Sequence, residues 1–146
     1  MRPTRNCEVY IDGASRGNPG PSGIGVVFFE PSSTTGKLEH VKQFSRYVGE
    51  TTNNVAEYLG LIYALQEALR EGYTAVNVKT DSQLLARQMS GQYQVKNGQL
   101  RLLHDIVGHL IGAFTTVSIE HIPRTGNRLA DRLAGQAVTT HASAAP

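Results

Sequence analysis

Four carboxylates in this chain stand where chemistry could be built. Asp12 closes the alternating stretch Cys7-Glu8-Val9-Tyr10-Ile11 and opens a run rich in glycine and proline, Gly13 to Gly23. Glu57 heads an apolar helical pattern, Asp81 follows Thr74 to Thr80, and Asp131 sits in Asn127-Arg128-Leu129-Ala130-Asp131-Arg132. Each has an ordinary reading by itself. Asp12 could be a turn aspartate and Glu57 a helix-start carboxylate in an Asn54-x-x-Glu57 capping box. Asp81 could be a helix N-cap, and Asp131 a surface partner of Arg128 or Arg132. Jointly those readings weaken. Asp12 and Asp81 end strands that could be sheet neighbours, and Glu57 lies in the first turn of a helix packed on them. Carboxylates converging without cations repel one another strongly. Oxygen ligands with no histidine or cysteine cluster favour Mg²⁺ or Mn²⁺ over zinc.

The elements that must position these groups follow from hydrophobic periodicity. Residues 7–12 read as a first strand ending at Asp12, residues 13–23 as a loop, 25–30 as a second strand and 38–48 as a third. Short turns between the three predict an antiparallel meander. A helix is expected from about Asn54 to Gly72. Val55, Tyr58, Leu59, Ile62, Leu65 and Leu69 form one apolar face, while Leu61, Ala64 and Ala68 continue a second stripe headed by Glu57. With both stripes apolar, Glu57 is expected to be buried against the sheet, where an unpaired carboxylate needs a partner such as a cation. A strand over 74–80, helices over 82–89 and 100–111, a strand over 115–122 and a helix over 127–138 complete the order. Residues 139–146 are expected to form a frayed, flexible tail. The implied architecture is α/β, a mixed sheet flanked by helices.

Composition bounds what such a site could serve. The 146 residues suit one domain over 1–146 with its core in 7–138. A single cysteine, Cys7, excludes an intrachain disulfide and an all-cysteine zinc site, and favours a reducing compartment. The longest apolar run, Ile24 to Phe29, is far short of the ~20 residues of a membrane span, and the amino terminus has no signal-like apolar core. A cytoplasmic, monomeric protein without a membrane partner is expected. Net charge is only +2, yet if four acids hold metal, 14 basic residues face 8 acidic ones, a surface that could hold a polyanion.

The motifs resemble the type 1 ribonuclease H family. The matching pieces are Tyr10-Ile11-Asp12-Gly13 through Gly23, Thr51-Thr52-Asn53-Asn54-Val55-Ala56-Glu57-Tyr58, Thr80-Asp81-Ser82-Gln83, and Gly126-Asn127-x-x-x-Asp131. Any one is weak; four in order and register, from about residue 7 to 138, are specific. The resemblance implies a ribonuclease H-like fold, a five-stranded mixed sheet with its three-strand meander first. It also implies metal-dependent endonucleolytic hydrolysis of the RNA strand of RNA–DNA hybrids, leaving 5′-phosphate and 3′-hydroxyl ends by a two-metal-ion mechanism. The family's acidic quartet falls on Asp12, Glu57, Asp81 and Asp131, with two Mg²⁺ expected and Mn²⁺ as a substitute. Contacts to the 2′-hydroxyls of RNA would map to Gly17, Asn18, Asn53, Asn54 and Gln83, and a DNA-strand phosphate to Thr52 and Asn97.

Departures from the family pattern are confined to its periphery. Where many relatives carry a loop histidine before the last aspartate, this chain has Ile122-Pro123-Arg124-Thr125-Gly126. Arg124 is expected to act there as a phosphate-directed cation, since a guanidinium cannot be a base near neutral pH. His121, at a strand end, is its rival. The basic protrusion of some relatives is reduced to a short loop carrying only Lys96, no separate hybrid-binding domain is expected ahead of the core, and Glu50 stands where some relatives place an arginine. These features imply weaker, more salt-sensitive hybrid binding. The compact form leaves duplex RNA open as a second substrate. Two rivals remain: a binding module that kept the fold without activity, and another nuclease or phosphotransfer enzyme on the same fold.

Overall fold

Alternation in the second strand assigns the two faces of the sheet. The computed structural model describes residues 4–144. In it, strands β1 (Asn6–Ser15), β2 (Gly20–Pro31) and β3 (Leu38–Thr51) form an antiparallel meander. Helix α1 (Asn53–Glu71) then leads to β4 (Ala75–Thr80), which pairs parallel to β1. Helices α2 (Gln83–Met89) and α3 (Gly98–Ile111), strand β5 (Thr116–His121), a 3-10 turn at Arg124–Gly126 and helix α4 (Arg128–Ala144) follow. The five-stranded mixed sheet has the order β3-β2-β1-β4-β5, with β5 parallel to β4. The architecture expected from the sequence is therefore the one observed.

Ile24, Val26 and Phe28 of β2 join the main core with Val55, Tyr58, Leu61 and Leu65 of α1. The alternate residue Val27 packs with Ala130 and Leu133 of α4 on the opposite face. Glycine permits both helices to approach closely. A Cβ on Gly25 would lie 2.1 Å from the Ala130 carbonyl oxygen, and one on Gly13 would lie 2.4 Å from the Ala56 carbonyl carbon. These two close approaches bring the start of α1 and the first turns of α4 to the end of β1 where Asp12 stands.

Three boundaries differ from the sequence reading. The expected loop over 13–23 is mostly strand: β1 continues to Ser15 and β2 begins at Gly20, paired through Ala14↔Gly23 and Ser15↔Ser22. Glycine and proline there adapt the hairpin to a tight tip rather than ending the strands. Strand β3 runs on to Thr51, because β2 pairs with it as far as Gly20. Residues 139–144 are not a frayed tail, since α4 continues to Ala144. His141 stacks on Tyr47 of β3 with ring centroids 3.6 Å apart, and Arg16 donates to the Thr139 hydroxyl. Residues 145–146 of the expected tail lie outside the described residues.

Candidate active site

Asp12 and Asp81 come together because their strands are neighbours. The parallel register pairs Ile11 with Thr80, so the next residue of each chain segment emerges at the same sheet end. Asp81 is free to face the cleft because Ser82, not Asp81, caps α2: the Ser82 hydroxyl accepts the Leu85 N–H at 3.1 Å. A similar substitution occurs at α1. Its N-cap is Thr52, whose hydroxyl accepts the Val55 N–H at 3.3 Å, so Asn54 and Glu57 form no capping box. Glu57 lies one turn further in and is buried, as its place in the second apolar stripe predicts.

Carboxylate oxygens of Asp12, Glu57 and Asp81 all lie within 4.8 Å of one another. The fourth carboxylate, Asp131, lines the same cleft of about 360 Å³, together with Gly13, Ala14, Ser15, Asn53 and Arg124. It stands outside the tight triad, and its partner is neither Arg128 nor Arg132. Arg124 Nη2 lies 3.8 Å from Asp131 Oδ1. A larger cleft of about 720 Å³ between α2 and α3, around Tyr93, Arg101 and His104, contains none of the four carboxylates.

Burial and mutual repulsion set the electrostatics. Desolvation is the main cause that pushes the Asp12 carboxyl up to about 8, with Asp131 within hydrogen-bond reach and the charge of Asp81 adding to it. Glu57 is also held well above the usual carboxylate range, first by burial and then by the Asp12 charge. One Glu57 oxygen, Oε2, is buried with no hydrogen-bond partner. A buried acceptor without a donor costs ~1–3 kcal/mol, and a cation removes that cost while reversing the repulsion. The donor set is oxygen alone, which suits a hard divalent ion. Asp12, Glu57 and Asp81 therefore fit a metal ion, with Asp131 beside Asp12 in the same cleft.

The remaining expected residues divide by position. Gly17 and Asn18 are exposed at the β1–β2 tip, and Asn18 Oδ1 accepts the Asn53 N–H at 2.9 Å, tying the tip to α1. Asn53, Asn54 and Gln83 are exposed at the starts of α1 and α2. Asn97 caps α3 through its side chain, which accepts the Leu100 N–H at 3.0 Å. Of these, only Asn53 lines the carboxylate cleft. His121 does not line it, whereas Arg124 does.

One participant was missed among the expected site residues. Asn127 is 1% exposed, and its Nδ2 donates to the Ile11 carbonyl at 2.8 Å and reaches Asp81 Oδ2 at 3.4 Å. It thereby links the start of α4 to β1 and to the metal-compatible triad. Its place in Gly126-Asn127-x-x-x-Asp131 was the available signal, but asparagine before a helix reads as a cap.

A family model described as reverse transcriptase-like matches residues 10–137. The ribonuclease HI of Halobacterium salinarum is 37% identical over 140 residues, covering 94% of this chain and 68% of that protein. The chain belongs to the type 1 ribonuclease H family. A bifunctional protein of Mycobacterium tuberculosis is 42% identical over 137 residues, which make up 94% of this chain and 36% of that one. The chain thus spans about a third of the length of that relative. Among solved structures, LC11-RNase H1 in complex with RNA/DNA hybrid superposes with a TM-score of 0.83 at 38% identity, covering 92% of this chain and 98% of that one. In this chain the four carboxylates of the expected quartet line one cleft.

Proposed function

We propose that this chain is a metal-dependent endonuclease that cuts the RNA strand of RNA–DNA hybrids and leaves 5′-phosphate and 3′-hydroxyl ends. The observation that carries this reading is the oxygen-only triad Asp12, Glu57 and Asp81, with a partnerless Glu57 oxygen, in a cleft that Asp131 also lines. Asp12, Glu57, Asp81 and Asp131 would hold Mg²⁺, two ions being expected and Mn²⁺ substituting. Bound there, the ions supply Lewis-acid activation of water and stabilisation of the leaving oxygen. The chain's own residues do the rest. Asn127 holds the Asp81 carboxylate in place, Gly17, Asn18, Asn53, Asn54 and Gln83 would meet the RNA strand, and Thr52 and Asn97 a DNA phosphate. Arg124 would offer a cation to the phosphate backbone, a reading supported by its 81% side-chain exposure and its loose pairing with Asp131.

The test is cleavage of a strand-labelled RNA–DNA hybrid with Mg²⁺, with Mn²⁺ and with EDTA, alongside Asp12→Asn and with duplex RNA and duplex DNA as alternative substrates. Metal-dependent cutting of the RNA strand, lost in the variant, is the expected result. Binding of hybrid without cutting would instead favour an inactive module. Arg124→Ala is expected to lower kcat/KM about tenfold, equivalent to ~1.4 kcal/mol. Because an exposed ion pair is worth ~0–1 kcal/mol, the melting temperature should barely change. His121→Ala should stay near wild type. Equal, near-wild-type rates for both variants would remove Arg124 from the reaction.

A further inference from the structure

The β1–β2 tip carries two hydroxyls that do work no motif predicts. Ser22 is fully buried, and its Oγ lies 3.0 Å from Ser15 Oγ, 2.9 Å from the Gly20 carbonyl oxygen and 3.2 Å from that of Thr51. Ser15 Oγ lies 2.9 Å from the same Thr51 carbonyl and also donates toward the carbonyl of Gly17. Three backbone carbonyls, from Gly17, Gly20 and Thr51, thus converge on two hydroxyl protons. The Ser22 hydroxyl is fully buried and must find its partners here, so the pair fixes where these three segments meet.

Those segments are the ones that would read the substrate. Gly17 is the residue before Asn18, and Thr51 precedes the α1 cap Thr52 and the exposed Asn53 and Asn54. A second link, the Asn53 N–H to Asn18 Oδ1, joins the same two segments from outside. The space is already taken up by backbone, since a Cβ on Gly20 would lie 2.1 Å from the Arg16 carbonyl oxygen. The serine pair on the Thr51 carbonyl and the Asn53–Asn18 bond therefore tie the tip to the start of α1.

We propose that Ser22, acting through Ser15, is a positioning residue for recognition of the RNA strand, setting the spacing between the Gly17–Asn18 tip and the Asn53–Asn54 start of α1. This rests on the ribonuclease H reading above. Ser22 touches none of the four carboxylates and reaches their cleft through Ser15, so its loss acts on substrate engagement and leaves the metal triad in place. Recognition of 2′-hydroxyls needs donors and acceptors at fixed separations along one strand, and a tip free to shift loses that register.

The experiment is steady-state cleavage of RNA–DNA hybrid by wild type, Ser22→Ala, Ser15→Ala and the double variant, with thermal melts of each. For Ser22→Ala, KM is expected to rise ~5- to 10-fold, the scale of one lost buried hydrogen bond, with kcat nearly unchanged. The double variant should be no worse than the worse single one, because both hydroxyls serve one junction. A partly unfolded protein would lower kcat at constant KM, so the split separates positioning from mere stability. If Ser22→Ala does not fold, Ser22→Cys keeps a side chain of similar size, weakens the same hydrogen bonds and carries the same expectation. A wild-type KM in the folded variants overturns the proposal while leaving the nuclease reading intact. Failure of the wild type itself to cut or bind hybrid overturns that reading, and this inference with it.

Discussion

The acidic cluster makes the metal-free fold sensitive to pH, and the effect has a size. An aspartate in an unfolded chain releases its proton near pH 4, whereas Asp12 in the fold keeps its own up to about 8. Between those values the native state holds a proton that the unfolded state has lost. Stability contributed by this group is therefore complete at low pH and falls as pH rises, by ~1.4 kcal/mol per pH unit. Across the window the loss is on the order of 5 kcal/mol, an upper bound that water entry and side-chain relaxation reduce to a few kcal/mol. Against a typical domain stability of ~5–15 kcal/mol this is a large share. Asp12→Asn keeps the shape and removes the ionisation, while Glu57 stays in both proteins. In EDTA, urea unfolding of wild type and variant should give a stability gap that favours the variant, widens from about pH 4 to about pH 8 and then levels off. Saturating Mg²⁺ should stabilise the wild type more at pH 8 than at pH 5, because the ion must displace the retained proton, and should leave the variant nearly unaffected. A gap that stays constant over that pH range would refute the reasoning, since Asp12 would then ionise alike in both states.

Two further predictions concern packing that serves the site. Gly25→Ala would place a Cβ 2.1 Å from the Ala130 carbonyl oxygen and 2.8 Å from the Leu133 Cβ. Pushing α4 off the sheet should cost ~3 kcal/mol or more in urea unfolding and should displace Asp131, lowering metal-dependent activity as well. A chain ending at Val138 loses the His141 stack on Tyr47 and the Arg16 contact with Thr139. Calorimetry should show a loss of ~1–2 kcal/mol; an unchanged melting temperature would mean that these residues add nothing to the fold.

Much of the site was legible because it rests on strand ends and helix stripes. Asp12 and Asp81 each close an apolar strand, and Glu57 heads an apolar stripe, so their convergence followed from periodicity once the strands were neighbours. Less legible were features decided by tertiary partners. Gly13 to Gly23 reads locally as loop, yet the hydroxyls of Ser15 and Ser22 and pairing with β3 keep most of it in strand. The last turns of α4 carry threonine, histidine and serine, weak helix formers, and there His141 stacks on Tyr47 and Thr139 accepts from Arg16, contacts that the local sequence does not reveal.

The two helix caps point the same way and explain the site's chemistry. Asp81 and the Asn54–Glu57 pair were candidates for caps, but Ser82 and Thr52 do that work. A carboxylate that caps a helix is satisfied by backbone N–H groups and its proton affinity falls. By giving the caps to neutral hydroxyls, the chain leaves Asp81 facing the cleft and Glu57 Oε2 without a donor. Asn127 then steadies Asp81 with a side-chain amide, a neutral donor that fixes the carboxylate without cancelling its charge. The negative charge is held in place but left uncompensated, which is the condition under which a divalent ion binds.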